Sequence, residues 1–372
     1  MNHREQALKV LNYEAYQSLP IVHFGFWNET LDQWANEGHI TPEEAQGWGD
    51  GNKFDISISR KLGFDFNWYS TFPFESSLKP SFERHILRTR EDGSREVMNV
   101  DGVTVLEKDE AGSIPSEVEH LLKDRQTWHD LYLPKLQWSP DRINWQWMEA
   151  LPSPLERDHP IGLHCGSLWG RIRDMAGLVG LSYLISDDPT LVDEMIDVTA
   201  DLCFQGTQAI LARYDSFDFA HFWEDICYKA GPLVNPKFFH DKIGPHYKRI
   251  TDLVSSYGIK IISLDCDGKI DKLIPTWFEN GVNTMFPIEV GTWNASLTPW
   301  RQQFGKELRG VGGMNKVVFA RDYAAIDAEV ERLRPIIELG GYIPCPDHRI
   351  APDAKWENIQ YYCDRMRSVF GH

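Results

Sequence analysis

The stretch GIKIISLDCDGKIDKLIPTWFENGVNTMFPIEV, residues 258–290, indicates the fold class most clearly. Its first apolar run, 259–264, is short and rich in isoleucine, which predicts a buried strand. The run 269–281 predicts a helix that ends at Gly281, and 282–290 predicts a second strand. Strand, helix and strand in this order indicate a βαβ unit, which joins two parallel strands of one sheet.

The same alternation of short apolar runs and longer amphipathic segments continues through the second half of the chain. The predicted strands lie near residues 20, 161, 218, 260, 284, 310 and 342. With an eighth strand expected before residue 160, this count predicts an α/β fold, a single (β/α)8 TIM-type barrel over residues 1–372. No GxGxxG motif follows the first strand, which argues against a dinucleotide-binding sheet.

Residues 80–112 interrupt this rhythm with an alternating, turn-rich sequence. The pattern predicts a β-hairpin insertion in the N-terminal half that decorates the barrel. Such an insertion acts either as a stabilising flap or as a lid over the site.

Charge and cysteine content limit the partners. The chain has 38 Lys and Arg against 55 Asp and Glu, a net charge of −17, which repels nucleic acid and anionic membranes. It lacks an apolar run of export-signal or membrane-spanning type, so we expect a cytoplasmic protein with a small-molecule substrate. Six scattered cysteines without CxxC spacing argue against a disulfide framework, and a homo-oligomer is left open.

Polar residues follow the predicted strands at the points where the strands end. In a barrel the loops after the strands form the active-site face, so these side chains would meet at one rim. Any single one can instead cap a helix or pair with an ion inside the fold. The residues are His164, Glu224, Asp225, Asp265, Asp267, Glu289 and His348.

Asp265 and Asp267 form the most informative pair. They alternate with Cys266, so in an extended chain both carboxylates lie on one face. Two acids on one face repel unless a cation, an arginine or a shared proton lies between them. With His348 they make an oxygen, oxygen, nitrogen set suited to a divalent metal, although Asp267 before Gly268 also fits a plain turn.

Fourteen tryptophans are open to two interpretations, filling of the core or an aromatic-walled pocket for a flat ligand. We expect Trp27, Trp223 and His164 to line such a pocket. His23 and His221 lie within apolar runs and are expected to be hydrogen-bonded core histidines. His23 is also a candidate for substrate binding.

Motifs along nearly the whole chain resemble one superfamily. They are LPIVHFGFWNETLDQW (19–34), FWEDICYKAGPLVNPKFF (222–239), LDCDGKI (264–270), FPIEV (286–290) and GGYIPCPDHRIAPDAKWENI (340–359). They resemble the uroporphyrinogen decarboxylase superfamily, within it the decarboxylase-like proteins related to methylcobalamin:coenzyme M methyltransferases. The resemblance implies a (β/α)8 barrel, and either decarboxylation or methyl transfer.

The resemblance also implies a metal site with changed ligands. Corrinoid methyltransferases of this group hold zinc with a His-x-Cys pair and a late Cys, which fall on Asp265, Asp267 and His348. An O,O,N ligand set is chemically harder than the family's N,S,S set, which favours zinc with an oxygen-bearing substrate or another divalent ion. Loss of the metal is the remaining alternative. The late histidine of uroporphyrinogen decarboxylases also falls on His348, but residues 18–34 lack the arginines that hold a porphyrinogen.

We therefore expect a methyltransferase that moves a methyl group to a corrinoid protein. The methyl donor would be a small methoxylated or methylated compound, and methoxylated aromatic compounds are included. Asp265, Asp267 and His348 would hold the metal, and Glu224, Glu289 and His348 would act as acid and base. The corrinoid is expected to arrive on a separate protein. The alternatives are a metal-independent decarboxylase or lyase of a small carboxylate, and a non-catalytic ligand-binding barrel.

Overall fold

Short strands recur along the chain with helices between them. The computed structural model describes residues 1–108 and 116–371. The strands are β1 (Val22–His23), β2 (Phe66–Asn67), β3 (Thr71–Phe72), β4 (His85–Thr89), β5 (Arg95–Met98), β6 (Val103–Glu107), β7 (Ser116–His120), β8 (Gly162–His164), β9 (Phe219–Trp223), β10 (Cys227–Tyr228), β11 (Gly231–Pro232), β12 (Ile262–Asp265), β13 (Thr284–Phe286), β14 (Arg309–Met314) and β15 (Tyr342–Pro346).

The helices vary from single turns to a helix of 23 residues. The α-helices are α1 (His3–Leu11), α2 (Asn28–Asn36), α3 (Pro42–Gly47), α4 (Lys53–Leu62), α5 (Arg125–Thr127), α6 (Trp145–Glu149), α7 (Gly170–Ala176), α8 (Leu178–Asp187), α9 (Pro189–Leu211), α10 (Pro236–Lys242), α11 (Gly244–Ser256), α12 (Ile274–Glu279), α13 (Val290–Trp293), α14 (Leu297–Phe304), α15 (Tyr323–Glu338) and α16 (Trp356–Phe370). Shorter helical turns of other types are Trp128–Tyr132, Leu133–Leu136, Pro140–Arg142 and Lys316–Ala320.

A seven-stranded parallel sheet forms the centre of the molecule, in the order β15-β14-β13-β12-β9-β8-β3. β1 and β2 form a separate parallel pair, and a parallel bridge joins Phe26 to Ile350 just beyond β15. The predicted α/β class with a large parallel sheet is confirmed. Closure into a TIM-type barrel, and the single domain over 1–372, stay predictions.

The βαβ unit of residues 258–290 forms in the predicted order. β12 and β13 lie side by side with Ser263 paired to Thr284. The helix between them, α12, is shorter than predicted and begins at Ile274. Pro275 explains the late start, because proline is tolerated in the first turn of a helix but not in its interior.

The strand expected before residue 160 is split into two pieces of two residues each, β2 and β3. β2 pairs with β1, whereas β3 pairs with β8. This short segment therefore occupies the position next to the first strand. Two-residue strands carry too little alternation to be recognised from a sequence.

The predicted insertion contains β4, β5 and β6, which with β7 form a four-stranded antiparallel sheet in the order β4-β5-β6-β7, more than one hairpin. Residues 109–112 of the predicted range lie outside the described residues. β7, at Ser116–His120, lies beyond the predicted boundary and pairs with β6. A small core of Val97, Val103 and Val105 holds this sheet together.

The main core packs helices against the central sheet. Four tryptophans are fully buried in it, Trp34, Trp68, Trp128 and Trp277, so the core-filling interpretation holds for these four. Trp68, for example, stacks on Phe219 of β9 with ring centroids 4.4 Å apart. Within residues 1–108 and 116–371 we find no helix with the length and apolarity required to traverse a membrane.

Candidate functional site

The carboxyl ends of β9 and β12 direct polar side chains to one face. The two strands pair with Ser263 beside His221 and Asp265 beside Trp223. The indole N–H of Trp68 donates a hydrogen bond of 3.5 Å to the Ser263 hydroxyl. This contact places Ser263 on the inner side of the sheet. By strand alternation Asp265 lies on the same side, nearer the end of the strand.

Four carboxylates and one imidazole meet beyond these strand ends, and we call this group the acid cluster: Asp225, Asp265, Asp267, Glu289 and His348. Asp267 is its centre, because its charge raises the pKa of each of the other three carboxyls, second in each case to burial. Its Oδ2 atom also lies 3.3 Å from Nε2 of His348. The pKa of Asp225 rises to about 6. Several of the predicted strand-end residues are therefore neighbours.

Asp265 is the most buried acid of this group. It is 7% exposed, and burial, followed by the charge of Asp267, holds its pKa well above the usual range. Its Oδ2 accepts a hydrogen bond of 2.9 Å from the phenol of Tyr69. A carboxyl group in this environment keeps its proton and can donate it.

Two cations that were not predicted from the sequence lie against the cluster. Arg349 donates two hydrogen bonds to Asp50, of 3.2 and 2.7 Å, and its charge partly lowers the pKa of Asp265. Lys316 is largely buried, which lowers its pKa, and it feels the charges of Asp267 and Glu289. The repulsion between the acids is therefore offset in part by the chain itself.

Aromatic rings form one wall beside the cluster. Trp27 stacks on His348 with ring centroids 5.2 Å apart and planes 20° from parallel. Phe24 meets His348 edge-on at 5.9 Å and Phe286 edge-on at 4.7 Å. Arg349 continues this wall, since its guanidinium lies 5.7 Å from the centre of the Tyr69 ring. Trp27 is thus part of this aromatic wall, and its role in lining a ligand pocket stays a prediction.

Glu224 has a different environment from the one predicted for a catalytic acid. It is fully buried, and its oxygens accept hydrogen bonds from the backbone N–H groups of Leu168, Trp169 and Gly170 at 2.8, 3.0 and 2.6 Å. The hydroxyl of Tyr247 donates to it as well. Glu224 thereby holds the start of α7, which leaves both oxygens engaged within the fold.

Glu289 keeps contact with the cluster while it fixes a turn. Its Oε2 accepts a hydrogen bond of 2.6 Å from the N–H of Gly268, and its Oε1 accepts one of 3.0 Å from Thr292. Burial raises its pKa, with a further rise from Asp267. It therefore positions the Asp267 loop and remains a candidate for proton transfer.

The three histidines on the inner strands differ sharply. His23 is fully buried, with Nε2 2.7 Å from the Ser59 hydroxyl and Nδ1 accepting from the N–H of Gly25 at 2.9 Å, so neither nitrogen is left for a substrate. His164 is partly exposed, and burial lowers its pKa to about 4. His221 is fully buried and, within the described residues, neither of its nitrogens has a hydrogen-bond partner. The expectation of a hydrogen-bonded core histidine therefore fits His23 and not His221.

Among the comparisons with known proteins, one with solved structures finds a similar fold. No protein-family model matches this chain, and no curated protein matches it. A solved structure described as a methyltransferase from Methanosarcina mazei is similar over 100% of this chain and 99% of its own, with a TM-score of 0.61 and 13% identity. A candidate vitamin-B12-independent methionine synthase from Listeria monocytogenes covers 96% of this chain and 98% of its own, at 13% identity and a TM-score of 0.42, too low to carry an argument. At such identities the likeness concerns the fold alone.

The predicted metal ligands meet only in part. Asp267 and His348 are neighbours, whereas Asp265 is hydrogen-bonded to Tyr69. Within 1–108 and 116–371, no three His, Cys, Asp or Glu side chains are arranged to hold a metal ion. The donor set therefore does not fit a three-ligand centre in this conformation.

A cavity of about 430 Å³ lies apart from the acid cluster, beside α4 and the segment that precedes β8. Its lining includes His3, Asp65, Arg157 and His159, and no member of the cluster. This cavity and the acid cluster are therefore separate places on the molecule. We favour the cluster as the functional site because the ends of parallel strands converge there.

Proposed function

We propose that this chain is a methyltransferase that takes a methyl group from a small methoxylated or methylated compound and passes it to a corrinoid protein. The observation that carries the proposal is the proton-holding carboxyl of Asp265, the most buried member of the acid cluster, next to an aromatic wall. The shared fold with a methyltransferase agrees with it.

An ether methyl group is hard to transfer because the alkoxide or phenolate leaves poorly. When the C–O bond breaks, both electrons stay on the oxygen, and a proton delivered to that oxygen completes the leaving group. Asp265 is the donor we propose, with Tyr69 holding the carboxyl in place. The corrinoid, supplied by its partner protein, provides the cobalt nucleophile that receives the methyl group.

Trp27 and His348 would form the wall against which an aromatic methyl donor stacks. Their rings are parallel to within 20°, and a third flat ring extends such a stack at little cost in freedom. Trp223 and His164 would line the opposite side. The substrate class that fits is small, flat and neutral or cationic.

The charge of the site argues against a carboxylate substrate, and therefore against the decarboxylase alternative. Such a substrate would meet Asp225, Asp267 and Glu289, and it would need a free cation. Both cations beside the cluster are already engaged. Arg349 is paired through two hydrogen bonds to Asp50. Lys316 donates a hydrogen bond to the backbone carbonyl of Arg349, and its charge is balanced first by Asp347 and then by Asp267. If the substrate carboxylate stayed unpaired in this site, its desolvation would weaken binding by several kcal/mol, as an order of magnitude.

We propose further that the strands close into an eight-position barrel. β1 pairs with β2, β3 continues from β2 and pairs with β8, and the bridge between Phe26 and Ile350 joins the other edge to the chain after β1. All these pairs are parallel, as a (β/α)8 barrel requires. The mouth of such a barrel would contain the acid cluster, and the partner would dock over it.

The test separates methyl transfer from its alternatives. The purified protein would be incubated with methoxyarenes, methylamines and small aromatic carboxylates in the presence of a reduced corrinoid protein. Methylated cobalt would be followed by its visible spectrum, and carbon dioxide would be measured in the same samples. We expect methylation with at least one donor class, lost in Asp265→Asn. Release of carbon dioxide without cobalt methylation would support the decarboxylase, and no turnover of any donor would support a non-catalytic barrel.

A further inference from the structure

His221 lies on the inner face of β9, deeper than the acid cluster. Along the strand it precedes Trp223 by two positions and Asp225 by four, and parallel strands run towards the mouth. Its ring meets the Tyr69 ring edge-on at 4.9 Å and the His164 ring at 5.7 Å. Tyr69 in turn donates to Asp265, so this phenol contacts both levels.

The hydrogen-bonding capacity of His221 is unused. A neutral imidazole has one donor and one acceptor, and burial keeps this ring neutral by lowering its pKa well below the usual range. Across residues 1–108 and 116–371, neither nitrogen finds a partner, although the residue is fully buried. An unpaired buried polar group calls for an explanation, and for a side chain on the inner face of the strands a polar group of the substrate supplies one.

His23 shows what a purely structural histidine looks like in this chain. It is equally buried on β1, and its two nitrogens are both engaged, by Ser59 and by the N–H of Gly25. The contrast is between two buried imidazoles with the same solvent exposure. Only the one that faces Tyr69 and His164 lacks partners.

We infer that His221 is a specificity-determining residue that hydrogen-bonds a polar group on the inner edge of the substrate. The inference rests on the proposed function for the identity of the outer, methyl-bearing edge. His164 pairs with His221 in the strand register and is partly exposed, whereas His221 is buried. The two neighbouring rings therefore connect the solvent-accessible side of the site with its buried interior. The substrate class is therefore a flat ring with a hydroxyl, carbonyl or ring nitrogen opposite the methyl-bearing atom.

The binding test uses two probes that differ in one group, 4-methoxyphenol and anisole, titrated calorimetrically into the full-length protein. The wild type should bind 4-methoxyphenol at least about tenfold more tightly, since a hydroxyl that pairs a buried group is strongly favoured. His221→Phe should remove this preference and leave the affinity for anisole within about twofold. His221→Gln, which keeps a donor and an acceptor, should restore part of the preference.

A stability test separates this role from a structural one. Because His221→Phe removes unpaired polar atoms without a large change in volume, its Tm should rise by about 1–3 °C. His23→Phe is the matched control and should lower Tm, since it breaks two buried hydrogen bonds. If His221→Phe does not fold, His221→Gln with the same probes still decides the question through its retained or lost preference.

Three outcomes overturn the inference: equal wild-type affinity for the two probes, an unchanged preference in His221→Phe, or a fall in Tm like that of His23→Phe. Both readouts are independent of turnover. A preference for 4-methoxyphenol without methyl transfer would refute the proposed function and leave the role of His221 standing. Methyl transfer without a preference for 4-methoxyphenol would refute the role of His221 and leave the proposed function standing.

Discussion

Replacement of Glu224 by glutamine tests whether this acid serves the fold or the reaction. Glu224 is fully buried and carries five hydrogen bonds at the start of α7. Its Oε2 accepts from Trp169, Gly170 and the Ser167 hydroxyl, and its Oε1 accepts from Leu168 and Tyr247. Glutamine keeps one acceptor oxygen and turns the other into a donor.

The magnitude follows from which donors lose their acceptor. In its better orientation the amide oxygen replaces Oε2, so the N–H of Leu168 and the hydroxyl of Tyr247 lose theirs. Each buried donor without a partner costs roughly 1–3 kcal/mol, which for two donors gives a loss of about 2–6 kcal/mol in the free energy of unfolding. Tyr247→Phe removes only one donor and should cost about 1–2 kcal/mol.

Urea denaturation followed by tryptophan fluorescence measures both variants and their combination. Because the two changes remove the same hydrogen bond, the double variant should cost less than the sum of the single ones. A loss below about 1 kcal/mol for Glu224→Gln, together with abolished turnover, would refute the structural role and restore Glu224 as a catalytic acid.

Three further predictions concern the mouth. Burial raises the pKa of Asp225 from 3.8 to about 6. The stability that the protonated carboxyl contributes is therefore present below pH 4 and is lost as the pH rises through 6. Measured by thermal denaturation between pH 4 and 7, the Tm of Asp225→Asn should fall less than the Tm of the wild type. Trp27→Ala removes the ring stacked on His348 and should weaken binding of an aromatic methyl donor about tenfold in calorimetry, with circular dichroism unchanged. Arg349→Met leaves the partly buried Asp50 without its cation and should cost about 1–3 kcal/mol in urea denaturation, and Arg349→Lys should recover only part, since lysine cannot form the two-pronged pair.

The sequence predicted the parallel sheet and the neighbourhood of several site residues for one reason. Apolar runs followed by acids mark the carboxyl ends of strands, and in parallel strands those ends meet. Asp265, Asp267, Glu289 and His348 are brought together in this way. The alternation in β12 also placed the carboxylate of Asp265 on the inner face.

The sequence could not show which partner each polar residue takes. Glu224 follows its strand as Asp265 does, yet it bonds to the backbone of α7, and only the path of residues 167–170 decides that. Tyr69 and Arg349 were missed because their contacts depend on tertiary packing. Arg349 did carry one signal, its position directly after His348.

The central claim, that Asp265 delivers a proton to the leaving oxygen, is tested most directly by the dependence of the rate on the leaving group. Single-turnover methyl transfer to the reduced corrinoid protein would be compared for 4-methylanisole and 4-nitroanisole, in the wild type and in Asp265→Asn. We expect a loss of about 100-fold or more for 4-methylanisole, whose phenolate needs the proton, and a much smaller loss for 4-nitroanisole. Equal losses for the two donors would contradict it.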